Sequence, residues 1–159
     1  MAKLTKMTNR NLFINAIRTQ IGRPYIWGAQ SEDIGFDCSG LIVWAMRKVY
    51  GDFPDTNAAG LYDKYHANKI LVSIAKPGDL MFYGNSPSTI IHVMSVLDVW
   101  KYTRDLPYMT LVGARSGGAG IVTLDHAWTA KAYVGTAMGD YWANNFRWCC
   151  DPFLNEIEQ

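Results

Sequence analysis

The sequence predicts an α+β domain: helices first, then an antiparallel sheet of about five to six strands. Apolar residues recur at helical spacing through the first third of the chain. From about Leu80 onward, β-rich runs are broken by Gly and Pro in the manner of a strand meander. The length of 159 residues, 49% hydrophobic and 18% charged, suits one domain, 1–159, with one core. A net charge of +1 without a basic run argues against nucleic acid as the main partner.

Thr8 or Asn9 caps a first helix reaching about Gln20, with Leu12, Phe13, Ala16, Ile17 and Ile21 on one face. Gly22 and Pro24 end it. Arg23 to Ala29 is a short extended segment, and Gln30 to Gly35 a polar loop. A second helix runs from Cys38 to about Val49 or Tyr50 and stops at Gly51. A third covers Ala58 to His66, after turn and cap signals at Pro54 and Asp55-Thr56-Asn57. Lys76-Pro77-Gly78-Asp79 turns the chain into a strand over Leu80 to Tyr83, with Asp79 capping that turn. Further strands are expected over Ile90–Trp100, Met109–Arg115, Ile121–Asp125 and Lys131–Met138, with a polar hairpin connection over 101–107. The aromatic extension from about 139 to 159 packs back on the body.

The chemistry concentrates at Asp37-Cys38-Ser39-Gly40. Asp37 or Ser39 can accept from the first-turn N–H groups. A thiol at a helix N-terminus lies in a positive field that favours thiolate, the nucleophilic form. On this segment alone, Cys38 reads equally as a small buried hydrophobe. A cysteine nucleophile needs a base, and the chain has three histidines. His66 sits in a polar helix and His126 at a strand end. His92 interrupts the apolar run Ile90-Ile91-His92-Val93-Met94, where a titratable group needs a reason. Cys149 and Cys150 have no histidine near them in sequence, and three cysteines make no disulfide framework. The cysteine and histidine spacing fits no structural zinc site, and hydrolysis by a cysteine–histidine pair would require no metal and no cofactor.

Taken together, these residues resemble the NlpC-type cysteine peptidases, papain-like hydrolases of bacterial cell-wall peptides. The matching stretches are Pro24-Tyr25-Ile26-Trp27-Gly28, Asp37-Cys38-Ser39-Gly40-Leu41, Pro77-Gly78-Asp79-Leu80 and His92-Val93, in that order. The resemblance implies a papain-like fold with Cys38 as nucleophile, His92 as general base and Tyr25 at the oxyanion. Trp27, Asp37, Ser39 and Gly113 would line the substrate cleft. It implies an amide hydrolase acting on a peptidoglycan stem peptide, between D-glutamate and the diamino acid.

The chain departs from the family where a third polar residue should orient the base. That slot falls near Gly113, which has no side chain. A carbonyl, a water, Arg115, Ser116 or Asp98 is left to substitute. Other readings on the same fold are an acyltransferase, a deamidase, or a decayed wall-binding or structural module. The N-terminus has no apolar segment of signal-peptide length, and no stretch is long enough to span a membrane. The expectation is a chain made in the cytoplasm and brought to the wall by release or delivery, with phage tail proteins or an inhibitor protein as possible further partners.

Overall fold

A computed structural model of the chain describes residues 6–101 and 108–156. Helix α1 (Asn9–Arg18) starts where Thr8 Oγ1 accepts from the Asn11 N–H, and it buries Phe13, Ile14 and Ile17. It stops short of Gln20, and Gly22 then takes a φ of 96°. A two-stranded ribbon, β1 (Gln30–Ser31) and β2 (Gly35–Phe36), replaces the expected polar loop. It delivers the chain into α2 (Cys38–Tyr50), every residue of which from Cys38 to Met46 is buried. Gly51, with a φ of 77°, ends α2, and Asn57 caps α3 (Ala58–Tyr65).

The sheet is wholly antiparallel, in the order β6-β5-β4-β3-β7: Tyr133–Met138, Tyr108–Arg115, Ile90–Lys101, Leu80–Gly84 and Phe146–Cys150. Strand alternation divides its side chains between two cores. Leu80, Phe82, Val93, Leu97, Val112, Ala114 and Val134 pack with the three helices. Met81, Tyr83, Met94, Val96, Met109 and Leu111 fill the opposite face. The neighbours Cys149 and Cys150 fall into different cores, and both are free thiols.

One expected strand is corrected. Ile121–Asp125 is not a strand: Thr123 accepts from the His126 N–H and opens a helix, α4 (Leu124–Ala130). Asp125 in its first turn suits the helix dipole. The aromatic tail packs back by contributing β7, an edge strand paired along β3. The expected connection lies, from residue 102 to 107, outside the described residues.

Candidate active site

The geometry around Cys38 follows from Asp37. Its Oδ1 accepts from the Gly40 N–H at 2.7 Å, capping α2, and its Oδ2 accepts from the Gly28 N–H at 2.8 Å. One carboxylate thus ties the Tyr25–Gly28 segment to the helix N-terminus. Ser39 does not cap; it is buried and donates its hydroxyl to Asp37 Oδ1 at 3.3 Å. Gly40 is required sterically: a Cβ there would lie 2.1 Å from the Ala29 carbonyl oxygen.

These contacts set the Cys38 sulfur against the start of β4. The backbone N–H groups of Val93, Ser39 and Cys38 face the sulfur and favour its anionic form. Val93 directly follows His92, so the sulfur lies against the backbone next to the histidine. Tyr25 is buried there too. Burial raises its phenol well above the ordinary range, and Cys38 and Asp37 add to the rise. The hydroxyl therefore stays protonated and available as a donor.

The expected thiolate is not what the surroundings favour. Burial pushes the Cys38 thiol up to about 11, and the Asp37 carboxylate adds to the rise; the three N–H groups only partly oppose them. Burial also lowers His92 to about 4. At neutral pH the pair is a thiol and an uncharged imidazole. Desolvation outweighs the helix-terminal field because both side chains are under a tenth exposed.

Aromatic rings cause much of this burial. Tyr83 pairs with His92 across β3 and β4, with ring centroids 5.8 Å apart. The turn between β6 and β7 adds Tyr141 and Trp142, stacked at 12° and 5.9 and 5.1 Å from the imidazole. Trp142 adopts a φ of 51°, an unusual conformation for a bulky residue. The site is roofed rather than lying in an open groove. Two surface cavities of about 680 and 580 Å³ lie elsewhere, and neither is lined by Cys38 or His92.

The expected cleft residues therefore separate. Trp27 is exposed, whereas Asp37 caps α2 and Ser39 donates its hydroxyl to the Asp37 carboxylate. Gly113 is buried in β5 opposite Gly135, and a Cβ there would meet the Met94 side chain at 3.0 Å. The slot on β5 is thus closed by a thioether, not open to substrate.

The substitutes for an orienting residue also sort out. Asp98 lies six residues along β4 from His92, about 20 Å, and accepts from Arg18 at 2.9 Å, so it is not the orienter. Ser116 is exposed with a φ of 65°. Arg115 lies close: burial raises the Tyr141 phenol, which the Arg115 guanidinium lowers and Cys38 raises. A guanidinium has no acceptor lone pair, however, so it cannot take a hydrogen bond from an imidazole N–H.

The other histidines stand apart from this cluster. His66 stacks on Tyr62, and His126 Nδ1 accepts from the Val122 N–H at the start of α4. No group of three His, Cys, Asp or Glu side chains among the described residues could hold a metal ion. No described helix is long and apolar enough to cross a membrane. Sequence reasoning missed Tyr83, Tyr141 and Trp142. Only the β3–β4 register and the course of the last turn bring these rings to His92.

A family model described as NlpC/P60 matches residues 22–145. A probable endopeptidase of Mycobacterium tuberculosis is 30% identical over 110 residues, covering 69% of this chain and 28% of that protein. The murein DD-endopeptidase MepH of Escherichia coli is 38% identical over 82 residues, covering 52% of this chain and 30% of that one. The chain thus spans under a third of the length of these two relatives. Among solved structures, RipD of Mycobacterium tuberculosis superposes with a TM-score of 0.57 at 18% identity, covering 92% of this chain and 99% of that one. RipD is described as a non-catalytic NlpC/p60 domain protein adapted to peptidoglycan binding.

Proposed function

The chain belongs to the NlpC/P60 family, and from that premise we propose that it is a cysteine peptidase hydrolysing an amide bond in peptidoglycan stem peptides. The observation that carries this reading is the Cys38 sulfur at the α2 N-terminus, faced by the backbone N–H of the residue that follows His92.

The chemistry starts from the uncharged pair. His92 takes the thiol proton as sulfur attacks the amide carbonyl, forming the S–C bond and placing charge on the carbonyl oxygen. The protonated Tyr25 hydroxyl stabilises that oxyanion. The C–N bond then breaks, and the amine leaves with the proton from imidazolium. Water, deprotonated by His92, cleaves the thioester and restores the thiol. The bond we assign is that between D-glutamate and the diamino acid. Substrate reaches the sulfur once the Tyr141–Trp142 roof lifts, since the two reacting side chains are otherwise covered.

The burial of both residues also suits a second reading, a peptidoglycan-binding domain without catalysis, as RipD is described. Digestion of purified sacculi, with mass spectrometry of the soluble products, separates the two. The hydrolase reading expects stem-peptide fragments from the wild type and none from Cys38→Ala. Binding to sacculi without fragment release would establish the second reading, and fragments from Cys38→Ala would overturn the assignment of the nucleophile. The fragment masses identify the bond.

A further inference from the structure

Among the described residues, His92 Nε2, Tyr83 Oη and Arg115 Nε are buried without a hydrogen-bond partner, and the Arg115 guanidinium acts on Tyr141, whose ring stands 5.9 Å from the imidazole. Such atoms are rare, because a buried donor or acceptor left unpaired is destabilising. Two of them belong to residues directly opposite each other in the β3–β4 ladder, with rings 5.8 Å apart and inclined at 34°. The slot from which the family orients its base is closed here by Gly113 and Met94. Asp98 is remote, Ser116 faces solvent, and Arg115 cannot accept.

We propose that Tyr83 is the positioning residue for His92, its hydroxyl accepting, through one shared water, the hydrogen bond donated by Nε2–H. This deepens the hydrolase reading and rests on it for its consequence in catalysis. A single water with a phenol and an imidazole as partners satisfies both orphaned groups. Tyr141 and Trp142 close over the imidazole and keep bulk water from competing.

The consequence is a fixed tautomer. With the proton held on Nε2, the lone pair sits on Nδ1, which is free to take the Cys38 proton. An orienting partner acts in this way, by setting tautomer and ring position without itself touching substrate.

The test is nitrogen-15 NMR of the His92 imidazole, read beside steady-state kinetics, in wild type and Tyr83→Phe. The phenylalanine keeps the ring and deletes only the hydroxyl. The wild type should show the Nε2–H tautomer; the variant should show a mixture, with kcat down about ten- to a hundredfold at unchanged KM. A wild-type imidazole protonated on Nδ1 overturns the proposal, and that measurement needs no variant to fold. A variant with wild-type tautomer, or with wild-type kcat, overturns it as well. If the wild type digests no murein, the hydrolase reading fails, while the NMR still decides whether Tyr83 sets the tautomer.

Discussion

Two buried polar clusters among the described residues are built to opposite rules. In the first, Arg10 donates to Asp79 Oδ1 at 2.7 Å, to the Pro77 carbonyl at 2.9 Å and to Asp151 Oδ1. Asp79 also accepts from the Lys76 N–H, and Asp151 from the Phe153 N–H, each at 2.8 Å. Each of these charged side chains is partnered, and the network ties α1 to the start of β3 and to the C-terminal segment. In the second, His92 Nε2, Tyr83 Oη and Arg115 Nε are buried with no hydrogen-bond partner among the described residues, and the backbone N–H that follows His92 faces Cys38, the proposed nucleophile. A satisfied network rigidifies, whereas an unsatisfied one persists where the groups have work to do. The Asp79 of the Pro-Gly-Asp-Leu stretch thus serves architecture, whereas the residues around His92 are those we propose for chemistry.

The comparison breaks most sharply at Arg10. Arg10→Ala strands two buried carboxylates and should destabilise the fold by about 3–5 kcal/mol. Activity per folded molecule should persist, with denaturant unfolding and sacculus digestion measured on the same preparation. Gly40→Ala should reach both functions, since its Cβ collides with the Ala29 backbone beside the nucleophile. A loss of about 1–3 kcal/mol in thermal unfolding is expected, accompanied by a fall in kcat.

A pH series sharpens the contrast further. His92 titrates lower folded, at about 4, than unfolded, so its contribution to stability is present at neutral pH and is lost as pH falls from about 6.5 to about 4. Asp79, raised to about 6 by burial against the pull of Arg10, works oppositely: its contribution falls as pH rises from about 4 to about 6. The titratable side chains whose rings face His92 are Tyr83 and Tyr141. Wild type minus His92→Gln isolates the histidine, and the difference should not exceed about 1.4 kcal/mol per pH unit. The smallest effect is that of Asp37→Ala, about 1 kcal/mol for the lost cap, readable as a shift in denaturant midpoint.

What the sequence disclosed was local. Asp37, Cys38 and Gly40 act within a few residues of one another, so their spacing alone announces a capped helix bearing a thiol. His92 was legible as a polar intruder in an apolar strand. β7 was not, because Phe146 to Cys150 shows no alternation and its partner β3 lies some sixty residues away. At Ile121–Asp125 the β-favouring residues Ile121, Val122 and Thr123 masked a cap followed by an acidic first turn. The protonation of Cys38 was misjudged because the helix field is written locally. The burial that defeats it comes in part from Tyr141 and Trp142, distant in sequence, and Tyr83 gains meaning only once register sets it opposite His92.

Hydrolysis of soluble murein peptides followed from pH 4 to 10 bears most directly on whether an uncharged Cys38–His92 pair does the chemistry. The kcat/KM should hold steady across neutral pH, with its acidic limb near 4 and no fall below about 9, and should vanish in Cys38→Ala. An acidic limb near 6.5, or equal turnover by the alanine variant, would contradict it.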